Sequence, residues 1–481
     1  MESNATEKEN TQAEYALARL RAATEGGALE GKIYLVGGAL RDRLLGVSHG
    51  ADLDLVLEGD AVQLARDLYD AGLSSHFPVL YPRFGTAMIH VRTPQLGDSS
   101  GVNVELITAR SESYHPDSRK PNVRSGTLRE DIYRRDFTIN TLAQNLHTNE
   151  LLDITGLAKQ DIASGLIRTP VEPGITFFDD PLRMLRAVRF AARFRFDIEP
   201  ATWNAIKSES VRLRPPTIAL ERIREEFNKI AMLPGERFRS GMALLLESGL
   251  LAEFMPEMLP MVGCTQGSWH AHDVWDHTML ALESLPVEAP LTVRLALLWH
   301  DIGKPPTRKE DERGVHFFSH PTVGAELVRT IMMRLKYSND ELQEVTSLVK
   351  LHMRLGEYRS SWEDPAVRRL IRDIRSIMDG LFTVTCCDQS AVDIPAERAE
   401  DLGALKQRID QLTGAVTFES PLNGREIMEL LGVGEGPHLK RAKEFLVNEV
   451  IDGRLTEQDS ERAQALLSAW WADQPSKSRG D

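Results

Sequence analysis

Gly37-Gly38-Ala39-Leu40-Arg41-Asp42, with Asp52-Leu53-Asp54-Leu55-Val56 shortly after it, decides the fold of the first part of the chain. The apolar run Ile33–Val36 predicts a buried strand that ends at the glycine pair, where a bare backbone lets amide N–H groups approach a phosphate. Asp52 and Asp54 stand two apart in a second strand-like run, so both carboxylates are expected on one face. Such a pair can bind Mg²⁺ together with substrate phosphates. The stretch therefore predicts a phosphate-binding turn beside a metal site. A plain Gly-Gly turn followed by a solvent-exposed Asp-x-Asp strand edge is the alternative interpretation of the same residues.

Length and composition predict a multidomain protein without a membrane span. With 481 residues and 42% hydrophobic content, the chain can bury more than one core. It has no run of eighteen apolar residues, and its first eleven residues are polar and acidic, so neither a span nor a signal peptide is expected. Cys264, Cys386 and Cys387 give neither a disulfide framework nor a zinc spacing, which favours a reducing cytoplasm.

The charge distribution points to a local anion site on an acidic protein. A formal net charge of −14 argues against a protein coated in nucleic acid, and DNA is not an expected partner. Basic residues nevertheless cluster in two short segments, at Arg183, Arg186, Arg189, Arg193 and Arg195, and at Arg212, Arg214, Arg222 and Arg224. A phosphate-binding strip of this size suits a compact RNA. A helix whose arginines form salt bridges with nearby Asp and Glu explains the same clusters equally well.

Hydrophobic periodicity divides the chain into an α/β part and a helical part. Helical spacing covers residues 12–24 and 61–71, and residues 86–91 and 102–107 alternate as strands, which makes Glu105 a plausible third carboxylate near the metal. The polar segment 109–129, rich in Arg, Ser and Pro, is expected to be a long irregular loop. From about residue 148 the strand patterns disappear, so the remainder is expected to be almost wholly helical.

Four motifs in a fixed order carry a resemblance to a known family. They are the stretch from Gly37 to Val56, Arg134–Asn140, Asp179–Arg183 and Leu220–Glu226. Together they resemble the DNA polymerase β nucleotidyltransferase superfamily, in the branch of class II tRNA nucleotidyltransferases (CCA-adding enzymes) and bacterial poly(A) polymerases. The resemblance covers roughly residues 31–230.

The resemblance implies an α+β fold with a small polymerase β-type head, a mixed sheet with helices, followed by predominantly α-helical segments. The expected boundaries are 1–147 for the nucleotidyltransferase head, 148–257 for a helical neck that binds RNA and nucleotide, 258–392 for an HD domain and 393–481 for a helical tail.

The implied activity is template-independent addition of C and A nucleotides to the tRNA 3′ end from CTP and ATP, with release of pyrophosphate. Asp52 and Asp54, with Glu105 as a third catalytic carboxylate, would hold Mg²⁺; one ion would lower the pKa of the 3′-hydroxyl and another would neutralise the triphosphate. The nucleotide-binding residues implied are Gly37, Gly38, Arg41, Arg135, Asp136, Asn140, Asp180, Arg183, Arg186 and Arg189. For Arg135 and Asp136, an internal ion pair that braces the head is the alternative.

Asp180 and Arg183 suggest how bases are chosen without a template. Three residues apart at a predicted helix start, with Pro181 as its first residue, they share one face. A carboxylate accepts from the exocyclic amino group of C or A, while a guanidinium donates to the neighbouring ring nitrogen or carbonyl. UTP and GTP present a carbonyl there and would be rejected. An Asp that caps the helix beside an exposed Arg is the plainer interpretation.

A second constellation lies in the middle third of the chain. Its members follow the order of an HD-type metal domain and are His277, His300, Asp301, His320, His352 and Asp388. His and Asp side chains suit a divalent metal, and HD domains commonly hydrolyse phosphoesters. The domain could instead only extend the RNA-binding body.

Four alternatives to full CCA addition must be weighed. Addition of A alone uses nearly the same motifs. By the resemblance, enzymes restricted to CC addition are short in the segment 109–129, which has its full length here, so CC-only addition is disfavoured. A poly(A) polymerase is disfavoured because Tyr81–Thr86 stands where that class carries a basic segment. The chain could also be a metal-dependent HD phosphohydrolase whose head only binds RNA.

Overall fold

The protein is described from a computed structural model. It describes residues 2–47, 52–92, 101–115, 118–267, 271–312, 314–392, 396–413, 419–456 and 458–474. The chain divides into two compact units, one of residues 1–233 with 237–259 and one of residues 234–236 with 260–481.

The head of the first unit is built on one sheet. Its strands are β1 Ile33–Val36, β2 Leu53–Leu57, β3 Val79–Tyr81, β4 Thr86–Arg92 and β5 Gly101–Thr108, then β6 Arg110–His115, β7 Ser118–Ser125, β8 Leu142–Asn145 and β9 Leu151–Asp153. Its helices are α1 Glu2–Thr24, α2 Gly38–Leu45, α3 Ala61–Asp70 and α4 Leu128–Tyr133. Seven strands form the sheet in the order β3-β4-β5-β2-β1-β8-β9, in which β2 and β5 are the parallel pair. Strands β6 and β7 form a separate antiparallel hairpin.

The register of the sheet aligns one transverse row of residues. Asp54 pairs with Glu105 on one side and with Val36 on the other. Glu105 in turn pairs with Met88, and Met88 with Val79. Directly paired residues project their side chains to the same face of a sheet. Asp54 and Glu105 therefore share one face with Met88 and with Val79 of the edge strand β3.

Helix α4 covers only one half of that face. Its residues Leu128 and Ile132 pack in one buried cluster with Val36, Val56 and Ala143. A capping box at Thr127 and Glu130 fixes where α4 begins. The carboxylates therefore lie where the covered half of the face ends.

The rest of the first unit is mostly helical. Its elements are α5 Ala158–Ser164, β10 Leu166–Ile167, α6 Pro173–Asp179, α7 Leu182–Phe194, β11 Asp197–Ile198, α8 Pro200–Glu209, α9 Leu220–Ala231, α10 Gly235–Glu247 and α11 Leu250–Phe254. Helix α7 is amphipathic, with Leu185, Ala187 and Val188 fully buried. It begins at Leu182, one residue later than expected, with Pro181 as the N-cap, and its C-cap Arg195 has the left-handed conformation.

The second unit contains the helices α12 Val274–Glu283, α13 Leu291–Trp299, α14 Lys304–Thr307, α15 His320–Arg334, α16 Asn339–Leu351, α17 Asp364–Ile374, α18 Met378–Ser390, α19 Ala396–Thr413, α20 Gly424–Leu431, α21 Pro437–Ile451 and α22 Ser460–Ala472. A two-stranded ribbon, β12 Lys309–Asp311 and β13 Gly314–His316, lies between α14 and α15. Across the described ranges, no helix has the length and hydropathy needed to cross a bilayer.

The structure corrects three expectations about secondary structure. The segment 109–129 is not an irregular loop, because β6 and β7 pair along it and α4 begins at Leu128. Strands do not disappear after residue 148, since β9 to β13 all lie beyond it. The N-terminal helix is longer than expected and begins at Glu2.

Candidate active site and metal centre

Asp54 and Glu105 lie side by side on the open face of the sheet. Their strands are parallel neighbours, and the two residues are direct partners in the ladder. Burial raises the pKa of Asp54, an effect that Arg135 opposes and Asp52 reinforces. Burial and the Asp54 charge likewise raise the pKa of Glu105. Crowded carboxylates of this kind are stabilised by a cation, and their oxygen atoms are the ligands that Mg²⁺ prefers.

The turn at Gly37 fits closely around Asp54. Gly37 has φ 78° and ψ −143°, a conformation that side-chain-bearing residues rarely adopt. A Cβ atom at this position would lie 3.1 Å from Asp54 Oδ2 and 3.7 Å from Arg135 Nη1. Helix α2 begins at the next residue, Gly38, so its N-terminus lies beside the carboxylate. The space that the absent side chain leaves is therefore next to the oxygen expected to bind metal.

Asn103 holds Asp52 and is itself held by His90, and the sequence analysis identified neither residue. Asn103 Nδ2 donates to Asp52 Oδ1 at 3.2 Å, and Asn103 Oδ1 is 3.0 Å from His90 Nδ1. A signal for Asn103 existed, because it stands two residues before Glu105 and therefore on the same face of β5. Across the described residues, the closely spaced groups of three metal ligands lie in the second unit, and Asp52, Asp54 and Glu105 form a wider arrangement.

Arg41 is buried within the protein. It is only 4% exposed, donates to Asn140 Oδ1 at 2.5 Å and pairs with Asp42 at 2.7 Å. Its guanidinium lies 5.0 Å and 4.7 Å from the ring centroids of Phe190 and Phe194 on α7. Arg41 thus braces α2 against α7 through charge, hydrogen bonding and cation–π contact.

The arginines of α7 pair with carboxylates of the first unit. Arg186 Nη2 lies 2.6 Å from Asp136 Oδ2, and Arg189 Nε lies 2.7 Å from Glu226 Oε2. Burial alone would raise the pKa of Asp136, but Arg186 and the hydrogen bond from Asn140 outweigh it and lower that pKa to about 2. Of the two interpretations of the Arg cluster, the helix with salt-bridged arginines therefore holds for Arg186 and Arg189.

Arg135 also makes an internal pair, with Asp131 rather than with its neighbour Asp136. Its Nη2 lies 3.1 Å from Asp131 Oδ2. Arg135 and Asp136 thus take part in two separate ion pairs. Their predicted roles at the nucleotide stay predictions.

Asp180 and Arg183 lie together at the start of α7. Asp180 Oδ1 accepts from the Leu182 amide at 3.1 Å, and Asp180 Oδ2 pairs with Arg222 of α9 at 2.9 Å. Arg183 donates to the Arg134 carbonyl oxygen at 2.7 Å. Arg222 was not singled out as a partner of Asp180, because 42 residues separate them along the chain. The predicted base-reading pair therefore contacts both α9 and the second motif.

The six predicted HD residues all converge in the second unit. They form two groups, and within each group the possible ligand atoms lie within 4.8 Å of one another. One group is His277, His300 and Asp388, and the other is Asp301, His320 and His352. Asp301 joins the two groups, with its Oδ2 3.2 Å from His300 Nε2 and its Oδ1 3.4 Å from His320 Nε2.

Backbone carbonyls fix the orientation of three histidine rings. Nδ1 of His300, His320 and His352 lies 2.7 to 2.9 Å from the carbonyl oxygens of Leu297, Phe317 and Val349. A ring whose Nδ1–H donates in this way offers a lone pair at Nε2, as metal-binding histidines do. The Nε2 atoms of His320 and His352 face each other at 3.3 Å.

The charges of this centre also favour a cation. Although burial alone would lower it, Asp301 and Asp388 raise the pKa of His300 to about 10, so a proton competes with a cation for its Nε2. Burial and the neighbouring His300 lower the pKa of His352 to about 4. Asp301 Oδ1 accepts no hydrogen bond from the described residues. Four imidazoles and two carboxylates arranged in this way fit a divalent metal centre.

Three family models match successive parts of the chain. The "Poly A polymerase head domain" family matches residues 33–168, the "Probable RNA and SrmB-binding site of polymerase A" matches residues 195–261, and the "HD domain" matches residues 269–381.

Curated relatives match across most of the chain. The CC-adding tRNA nucleotidyltransferase of Thermus thermophilus is 33% identical over 74% of this chain and 80% of its own. The A-adding tRNA nucleotidyltransferase of Deinococcus radiodurans is 31% identical over 72% of this chain and 80% of its own. The solved Bacillus stearothermophilus CCA-adding enzyme in complex with CTP covers 94% of this chain and 96% of its own, with a TM-score of 0.66 at 22% identity, and has the same fold.

Fold and sites together define a nucleotidyltransferase head joined to an HD domain. The chain belongs to the tRNA nucleotidyltransferase family. The α+β fold expected from the motifs is confirmed.

Proposed function

We propose that the protein adds C and A nucleotides to the 3′ end of tRNA, using CTP and ATP and releasing pyrophosphate. The single observation that carries the proposal is the pairing of Asp54 with Glu105 on the open face of the sheet, beside the Gly37 turn. Relatives that act on tRNA support the substrate.

Asp52 and Asp54, with Glu105 beside them, would hold divalent cations, for which we propose Mg²⁺. Cations there would activate the RNA 3′-hydroxyl and neutralise the triphosphate. The Gly37 and Gly38 backbone would approach the phosphates. Arg41 holds α2 against α7 through its ring contacts, and the ion pairs of Arg186 and Arg189 hold α7 to Asp136 and to α9, so we assign all three positioning roles.

Base choice would rest on Asp180 and Arg183. Asp180 Oδ1 is fixed by the Leu182 amide, which leaves its orientation defined before a nucleotide arrives. Arg183 would exchange the Arg134 carbonyl for the base. Arg183→Ala should then relax discrimination against UTP more than it lowers tRNA affinity; unchanged discrimination would remove Arg183 from this role.

Incubation of tRNA lacking its CCA end with labelled CTP and ATP tests the proposal. Label should enter the RNA with the wild type and not with Asp52→Ala, while any HD hydrolysis persists in the variant. Products that stop after three nucleotides would separate CCA addition from polyadenylation.

Acceptors of different length separate the narrower activities. The relatives include CC-adding and A-adding enzymes, and others are described as multifunctional CCA proteins. We favour full CCA addition. Label from CTP on tRNA without any C excludes the A-only form, and label from ATP on tRNA that ends in CC excludes the CC-only form.

Phosphoester hydrolysis at the HD centre is a second candidate activity. It is favoured by the convergence of His277, His300, Asp301, His320, His352 and Asp388, which would hold a second divalent metal. Two further proposals concern the whole chain. We propose that the protein is cytoplasmic and that its four domains end at residues 147, 257, 392 and 481. Hydrolysis of phosphoesters without any nucleotide incorporation would favour an HD phosphohydrolase with an RNA-binding head.

A further inference from the structure

The half of the sheet face that α4 leaves open, together with the 3₁₀ turn Pro82–Phe84 between β3 and β4, carries large apolar side chains. Val79 is 51% exposed, Tyr81 49%, Phe84 52% and Met88 40%. We call these four residues the edge patch. Exposed apolar residues grouped in this way commonly mark a binding surface, whereas single ones need no explanation.

The edge patch is in register with the carboxylates. Val79 and Met88 belong to the same transverse row as Glu105 and Asp54. Neighbouring strands are about 4.8 Å apart, so Met88 lies about 10 Å and Val79 about 14 Å from Asp54 across the sheet. A ligand that reaches the carboxylates along this face therefore passes over the patch.

Backbone contacts hold the two aromatic residues in place. Tyr81 ends β3, Phe84 ends the 3₁₀ turn Pro82–Phe84, and Gly85 follows with φ 58°. The Thr108 amide donates to the Gly85 carbonyl oxygen at 2.8 Å, and a Cβ atom on Gly85 would lie 3.1 Å from Thr108 Cβ. The turn is thus fixed against β5, so both rings are presented without a loop having to become ordered.

Cationic groups accompany the patch. Arg83 stands exposed between the two aromatic residues, with its guanidinium 5.9 Å from the centroid of the Phe84 ring. Arg92 is also exposed and lies on β4 four residues after Met88, hence on the same face. Exposed aromatic rings close to arginines are a combination with which proteins bind single-stranded nucleic acid.

We propose that the edge patch stacks the unpaired nucleobases at the 3′ end of the acceptor RNA, with Tyr81 and Phe84 as the stacking platform. The proposal rests on the proposed function, because the RNA end must lie over this face to reach Asp52 and Asp54. Stacking tolerates any base, which suits an end whose last nucleotide changes after every addition.

A fluorescent acceptor tests the proposal directly. An RNA acceptor that carries 2-aminopurine as its unpaired 3′-terminal base is titrated with the protein in the absence of nucleotide. Wild type should quench the fluorescence by stacking, while Tyr81→Ala and Phe84→Ala should quench less and bind about tenfold more weakly. Tyr81→Phe should restore quenching, and Phe318→Ala, at a 74% exposed aromatic residue of the second unit, should behave like the wild type.

Steady-state kinetics give a second readout. The KM for the acceptor RNA should rise about tenfold in the two alanine variants, with the KM for CTP unchanged. If the wild type incorporates CTP and the variants show unaltered quenching and KM, the edge patch is not the platform and the proposed function stands. If the wild type incorporates nothing, the proposed function fails, and the quenching titration still decides whether bases stack on the patch.

Discussion

Asn103 Nδ2 donates a hydrogen bond to Asp52 Oδ1 across 3.2 Å, and the other end of the same amide meets His90. Because the carboxylate can only accept, the amide nitrogen must face it and Asn103 Oδ1 must accept from His90 Nδ1–H. The three side chains follow one line across β4 and β5 to the start of β2. Asp52 is thereby held in orientation by residues that have no part in the recognised motifs.

Loss of this hydrogen bond should weaken metal binding. Partners that orient metal ligands typically change affinity 10- to 100-fold when removed. We expect Asn103→Ala to raise the Mg²⁺ concentration for half-maximal nucleotide incorporation about tenfold. Asn204→Ala, at an exposed asparagine of α8, is the control and should leave it unchanged. An unaltered Mg²⁺ requirement in Asn103→Ala would refute this role.

Gly37 and Gly46 differ in backbone conformation and in surroundings, because only Gly46 has the left-handed helical conformation that other residues can adopt. Gly37 and Gly46 flank α2, and both have positive φ. A Cβ atom at Gly37 would press on Asp54 Oδ2, whereas one at Gly46 would meet no atom within 4 Å. Gly37→Ala should therefore reduce nucleotide incorporation more than 100-fold, while Gly46→Ala should cost about 1 kcal/mol of unfolding free energy and keep its activity. Equal activity of the two variants would contradict the clash.

The Asp136–Arg186 pair predicts a pH-dependent contribution to stability. The folded-state pKa of Asp136, about 2, lies below its ordinary 3.8, so the contribution is complete above pH 4 and is lost as the pH falls towards 2. A drop of this size corresponds to about 2 kcal/mol. Urea unfolding of Asp136→Asn should show a deficit of that order at pH 7 that shrinks below pH 4. A deficit independent of pH would mean that packing, not charge, explains it.

The HD centre should bind metal independently of nucleotide addition. Asp301 contacts both ligand groups, and His320 faces His352. We expect Asp301→Asn and His320→Ala to lose most of the divalent metal that elemental analysis finds in the wild type, with incorporation from CTP retained. His438→Ala, at a half-buried histidine of α21 that is not one of the six, should keep its metal. Equal metal content in all four proteins would argue against the centre.

Local patterns were sufficient for the core of the head. The apolar run Ile33–Val36 is a strand as expected, and the period-2 spacing placed Asp54 on a strand face. Both depend only on neighbours in the sequence. The convergence of the six predicted HD residues was likewise predictable, because their order and residue types carry the information.

Partners that are distant in sequence were not predictable. Asp180 pairs with Arg222, and Arg41 lies against Phe190 and Phe194, about 150 residues away. Only the tertiary fold brings such groups together. The hairpin β6–β7 was missed for another reason: its polar composition lacks the apolar alternation that marks a half-buried strand.

The pairing register of β5 with β2 does not tolerate an insertion or deletion of one residue within either strand. A deletion of one residue inside Gly101–Thr108 would turn Glu105 and Asn103 towards the buried layer and bring Val104 or Leu106 next to Asp54. Evolution can therefore lengthen or shorten the connections at the strand ends. An insertion or deletion of one residue inside either strand would remove the carboxylates from the site and expose apolar side chains at the same time.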